Sequence, residues 1–313
     1  MAAGVVNPCG RTSNFGYSPD GQLLAVAIDG PRPNIRVWRL ADGAHVFDLD
    51  GVGEHAYRAE FSPDGRTLAT AGGDWDNGTW DGKPVPDLVK LWDVATGELV
   101  RTLPVTCGVY ATTAIFSPDG TVIATAGHQG PIEIWRASDG ARVGSIPYPT
   151  TIHNMRFSPD GRQLIAAGVD RRVTFWNMAT ATLALTLTGT SDEMADAALS
   201  PDGGLETATT GVEGVTSLVK VWDTAAGTLR QSLSGHATFI SHVVWAGRDR
   251  LVSNDWGGKI IFWNRDASGA FALSSTWVTG GQSWGLIVSP DGKTLAAGGV
   301  NSTGVEGFFF LPL

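Results

Sequence analysis

Phe61-Ser62-Pro63-Asp64-Gly65, followed by Arg66-Thr67-Leu68-Ala69-Thr70-Ala71, is the stretch from which the fold can be read. Pro and Gly around an aspartate specify a tight turn, and the run after it specifies a partly buried strand. An aromatic or apolar residue followed by Ser-Pro-Asp-Gly occurs at Tyr17–Gly21, Phe61–Gly65, Phe116–Gly120, Phe157–Gly161, Leu199–Gly203 and Val288–Gly292. A degenerate copy, Trp245-Ala246-Gly247-Arg248-Asp249, fills the one gap. The anchors at 17, 61, 116, 157, 199, 245 and 288 lie 44, 55, 41, 42, 46 and 43 residues apart, so seven like units make up the chain.

Each unit has a period-two run before the turn and a second run after it. A third run ends in tryptophan, at Trp38, Trp92, Trp135, Trp176, Trp222 and Trp263. A further turn, such as Asp93-Val94-Ala95-Thr96-Gly97-Glu98, leads into a fourth short strand such as Leu99–Leu103. Four antiparallel strands per unit make one blade, and residues 1–313 read as a single domain.

The six tryptophans, the true Trp-Asp pairs at Trp92-Asp93 and Trp222-Asp223, the period and Gly235-His236 together resemble the WD-repeat (WD40-type) family. The resemblance covers essentially the whole chain. It implies an all-β, seven-bladed β-propeller. It says little of function, because this fold hosts many roles. Blade seven runs out of chain after a third strand near Val305–Phe310, so residues Ala2–Val6 are expected to supply its fourth strand, close the ring and remove an open edge. The family's His–Ser/Thr–Trp–Asp hydrogen-bond tetrad is expected to be incomplete in every blade. Only one unit keeps Gly-His at the expected place, and only Asp170 in blade four lies six residues before its tryptophan. Stability is then expected to rest on apolar faces buried between neighbouring sheets, with Trp245 and the six third-strand tryptophans in the core.

A hydrophobic fraction of 42% suffices for a large core, while 41 Gly and 16 Pro suit many short strands joined by turns. The formal net charge of -9 disfavours phosphate backbones, no basic stripe interleaves with aromatics, and a basic segment is the better-matched partner. Cys9 and Cys107 fall in nonadjacent units and read as free thiols of a reducing compartment. With no apolar run of transmembrane length and no secretory leader pattern in Met1–Gly10, the expected location is cytoplasmic.

Three places are candidates for partner contact. Thirty-one residues separate Phe61 from Trp92, against 19 between Phe116 and Trp135. The surplus lies in Gly72–Asp87, with Trp75 and Trp80 among aspartates. Such a loop suits a basic or apolar partner segment, or covers itself. As a calcium loop it fails, because Gly78 stands where the third alternating ligand belongs. The second place gathers Trp256, Trp277 and Trp284 at the junction of blades six and seven, either as an exposed aromatic patch or as inter-blade packing. The third is the set three residues before each anchor: Asn14, Arg58, Thr113, Asn154, Asp196, His242 and Gly285. These are expected to line the central channel, with Tyr57, His153 and Trp284 nearer the rim. The rim in question carries both the loops between second and third strands and those joining successive blades.

Propeller enzymes hold a metal or a carboxylate in the funnel with ligands from several blades. Here only Asp196 and His242 share that level, and no G-x-S-x-G elbow, phosphate-cradling loop or cysteine cluster occurs. The leading expectation is a non-catalytic scaffold with no cofactor, no metal, and neither nucleic acid nor membrane as partner. It binds a protein or peptide through the rim and channel mouth. The rival is a hydrolase- or lyase-like propeller with a metal or acid/base site in the channel. A third possibility is the sensor domain of a larger chain.

Overall fold

A computed structural model of the chain describes residues 3–5, 11–29, 33–50, 52–53, 55–73, 88–106, 108, 110–188, 196–202, 206–213, 216–279, 281–300 and 306–313. Among these residues every regular element is a β-strand, and the strands make a seven-bladed β-propeller of four-stranded antiparallel blades. They fall into two compact units, Pro8–Ile152 and Met1–Asn7 with His153–Leu313. Blades one to three occupy the first unit. Blade one is Arg11–Tyr17, Leu23–Asp29, Ile35–Arg39 and His45–Leu49, and blade two is His55–Phe61, Thr67–Gly73, Val89–Asp93 and Leu99–Leu103. Blade three is Ala111–Phe116, Val122–Gly127, Ile132–Arg136 and Arg142–Ile146.

The other unit holds blades four to seven. Blade four is Ile152–Phe157, Gln163–Gly168, Arg172–Asn177 and Thr182–Thr188, and blade five is Ala197–Leu199, Glu206–Glu213, Thr216–Asp223 and Thr228–Ser234. Blade six is Ile240–Trp245, Arg250–Asp255, Lys259–Arg265 and Phe271–Val278. Blade seven has Ser283–Val288, Thr294–Val300 and Glu306–Pro312, and its fourth strand is Ala3–Val5, with Ala3 opposite Phe310 and Val5 opposite Phe308. The start of the chain therefore completes the last blade, as expected from the missing strand.

The recurring turn is held locally. In all six copies the serine Oγ donates to the aspartate Oδ1 at 2.6 Å. The glycine N–H returns to the serine carbonyl at 2.8–2.9 Å in the five described copies. Those glycines have φ of +68 to +72°, the left-handed region that a side chain would disfavour. Donation from serine and from the following backbone N–H holds the carboxyls of Asp20, Asp64, Asp119, Asp160 and Asp291 below their ordinary range.

Cores form between neighbouring sheets. One joins Ala25, Ile35, Val37 and Leu49 of blade one to Ala59, Phe61, Leu68 and Trp92 of blade two. Another joins Val219, Val221 and Leu233 of blade five to Val243, Trp245 and Trp263 of blade six. Small alanines on the inner strands let the sheets approach, and larger side chains fill the widening space outward. A buried tryptophan brings its indole N–H with it. That donor is satisfied by a second-strand hydroxyl at 2.9–3.0 Å: Trp92 to Thr70, Trp135 to Thr125, Trp222 to Thr209 and Trp263 to Ser253.

Blade four corrects the expectation that all six tryptophans are core. Trp176 is half-buried, and its N–H reaches Thr174 two residues back in the same strand. Thr174 pairs with Ala166, which occupies the place of the hydroxyl residue in blades two, three, five and six.

Candidate functional site

Blade six builds its rim from two loops. His236 lies in the connection from blade five, and Asp255 ends the second strand of blade six. His236 Nδ1 meets Asp255 Oδ2 at 2.8 Å, and His236 Nε2 meets Ser253 Oγ at 2.7 Å. Trp263 Nε1 donates to the same Ser253 oxygen. With an imidazole proton on Nδ1, His236 donates to Asp255, and every group in this chain of bonds has a partner. Burial pushes the Asp255 carboxyl up. The His236 bond and the Lys259 backbone N–H outweigh that and hold it below its ordinary value. The Asp–His–Ser–Trp tetrad is thus complete in blade six, which corrects the expectation that no blade has one. The aspartate sits at the start of the 255–258 turn, eight residues before Trp263, so a search at a spacing of six passes over it.

Next to this tetrad stands Trp256, whose ring is 51% exposed. It packs at 5.1 Å against Phe239 from the inter-blade loop, and the Trp256 backbone N–H donates to the Phe239 carbonyl at 2.9 Å. The Gly257 N–H donates to Thr238 Oγ1, tying the same two loops a second time. Gly258 has φ of +83°, and a Cβ there would lie 1.8 Å from the Gly281 carbonyl oxygen, so this tight turn requires glycine. Two loops distant in sequence, tied by hydrogen bonds, present an aromatic pair to solvent. Phe239 was not singled out in the sequence. Its signal is the aromatic three residues after Gly-His.

The other aromatics of this group have different settings. Trp277 packs edge-on against Phe309 at 5.3 Å and adjoins the core between blades six and seven. Trp284 is half-buried in the first strand of blade seven, at a bulge: Ser283 pairs with Gly299 and Gly285 with Gly298, leaving Trp284 between. Tyr57 occupies the same kind of bulge in blade two, between Ala56 and Arg58. A bulge re-aims the side chain that it carries. Tyr57 lies against His55 at 6.3 Å and Tyr110 at 5.4 Å, and Tyr110 lies against His128 at 5.0 Å. The structure thus joins Tyr57 through Tyr110 to His128; Tyr110 was not singled out in the sequence. Trp75 and Trp80 lie outside the described residues, as do Cys9 and Cys107.

Of the positions three residues before the anchors, Arg58 pairs with Glu60 at 2.7 Å. Asp196 is fully buried. Its oxygens accept from Asn154 at 2.6 Å, from Arg156, from the Ala197 N–H and from the Val243 N–H. It thereby ties the first strands of blades four, five and six. His153 and His242 are half-buried. No group of three or more His, Cys, Asp or Glu among the described residues is placed to hold a metal ion. Ser253, His236 and Asp255 have the connectivity of a nucleophilic triad. Ser253 is fully buried, however, and its oxygen takes the Trp263 N–H, so this arrangement offers a substrate no access.

The comparisons with known proteins agree with this architecture. The family described as "WD domain, G-beta repeat" matches residues 142–177. An uncharacterized WD repeat-containing protein of Synechocystis sp. is 32% identical over 120 residues, covering 38% of this chain and 30% of that protein. Another such protein, from Deinococcus radiodurans, is 28% identical over 185 residues, 53% of this chain and 69% of the relative. Telomerase protein component 1 of Mus musculus is 29% identical over 182 residues, 55% of this chain and 6% of that protein. No helix among the described residues is long and apolar enough to cross a membrane.

Proposed function

The chain belongs to the WD-repeat β-propeller proteins, and from that premise we propose that it is a non-catalytic scaffold that binds a protein or peptide. The observation that carries the reading is the exposed Trp256 ring, backed by Phe239 on loops tied through Asp255 and His236. Aromatic side chains supply large contact area at low entropic cost, and a loop fixed beforehand loses little freedom on binding. In this reading Trp256 and Phe239 are the anchor. Trp277, Trp284, Tyr57, His153 and His242, all part-buried, are further contact candidates. Arg58 and Asp196, whose charges are engaged inside the protein, position the inner strands. A basic segment is the proposed partner class because the chain carries a net charge of -9.

The test is capture from the native lysate by wild type beside the double variant Trp256→Ala/Phe239→Ala, both first shown to be folded by circular dichroism. A protein held by wild type and lost from the variant supports the blade-six contact. Equal capture by both moves the contact to Tyr57 or to the Gly72–Asp87 loop. Capture by neither removes the support for a scaffold and makes substrate screening the next step.

A further inference from the structure

We infer that the turn side of blades two and three carries a second binding site, a cleft that takes the cationic side chain of a basic peptide. The cleft, of about 470 Å³, lies between the Ser62-Pro63-Asp64 turn of blade two and Phe116, Asp119, Ala137 and Ser138 of blade three. Pro63, Phe116 and Ala137 give it apolar walls, and Asp64 and Asp119 put two carboxylates at its edge.

Two comparisons within the repeat bear on this cleft. The residue two after each third-strand tryptophan is Leu40, Val94, Ala137, Met178, Thr224 and Arg265 in blades one to six. In blades one, two, three, four and six its N–H makes the same backbone bond to the loop before the second strand: Leu40 to Gln22, Val94 to Arg66, Ala137 to Thr121, Met178 to Arg162 and Arg265 to Asp249. The position is therefore structurally equivalent, and alanine is its smallest occupant. Val94 and Ala137 both pack against the core beside them, and the shorter alanine also lines the cleft.

The second comparison concerns charge. Asp160, Asp202 and Asp291, in the same turn of other blades, have Arg162, Arg248 and Lys293 within 4.0 Å. Among the described residues Asp64 and Asp119, like Asp20 of blade one, have no cation within 4.0 Å, although the charge of Arg66 acts on Asp64; each uses Oδ1 for its own turn. A long basic side chain matches this arrangement, its aliphatic stem on Pro63 and Phe116 and its charged head at the two carboxylates.

The probe is N-acetyl-argininamide, titrated into the full chain while backbone amide resonances are followed by NMR at low salt. N-acetyl-citrullinamide serves as the uncharged control. The expected result is saturable movement of the Asp64, Gly65, Asp119, Gly120 and Ser138 amides with the arginine compound and at least tenfold weaker response to the citrulline compound. Ala137→Met, which installs the residue that blade four already tolerates as Met178, should abolish the response with the rest of the spectrum unchanged. Asp64→Asn/Asp119→Asn keeps an oxygen acceptor for each turn and should weaken binding at least tenfold. Absence of saturable shifts at these amides in wild type overturns the proposal, as does an undiminished response in either variant. This small-molecule readout does not involve Trp256, so its outcome and that of the blade-six reading are separable.

Discussion

Ala181 adopts a φ of +53° five residues after Trp176, where Gly43, Gly97, Gly140 and Gly227 stand at +64 to +73° in four other blades. A Cβ in the left-handed region costs about 1 kcal/mol. Ala181→Gly is therefore expected to raise the thermal midpoint by roughly 2 °C, read by calorimetry. At His236 the opposite holds: its ring joins Asp255 to Ser253 with no exposure of either imidazole nitrogen's partner. His236→Leu leaves a buried carboxylate short of its donor and should cost about 3 kcal/mol in urea unfolding. Asp255 adds a pH dependence. Its folded pKa lies below the unfolded value near ~3.9, so its contribution is present above that pH and is lost as pH falls through the folded value. Asp255→Asn should be less stable than wild type at pH 7 and should lose less stability on acidification. Equal acid slopes would contradict this assignment.

At the scale of the strand, the tryptophan and its hydroxyl partner show how one motif has two energies. Trp92 is buried with its N–H on Thr70, while Trp176 is half-buried with its N–H on Thr174. Replacing Trp92 with Phe removes a buried donor, opens space and leaves Thr70 without its donor, at a cost of about 2 kcal/mol. Trp176→Phe is expected to cost less than half as much, and paired urea titrations decide it. The strand Ala3–Val5 belongs to the same scale, since it pairs with the third strand of blade seven. Removing residues 1–7 strips Phe308–Phe310 of their partner backbone and leaves an open edge. The truncated chain should unfold at lower temperature and scatter more light at high concentration than the full chain. The need for this strand was legible in the sequence as a blade one strand short.

For the molecule as a whole, the expectation is that recognition and stability separate. Trp256 is exposed, so Trp256→Ala should change unfolding free energy by less than about 0.5 kcal/mol while removing the proposed blade-six contact. The seven units, their turns and the alternation of their strands followed from residues close together in the chain, because Ser-Pro-Asp-Gly and period-two patterns act over a few residues. What only the tertiary structure decided lies further apart. His236 meets Ser253 and Asp255 across 17 and 19 residues, and Asp196 meets Val243 across 47. Whether Trp256 faces solvent or core, and whether Ala137 lines a cleft, depends on how one blade's loops and turns fall against its neighbour's. Local sequence sets each blade, but the packing of blade on blade sets those distances.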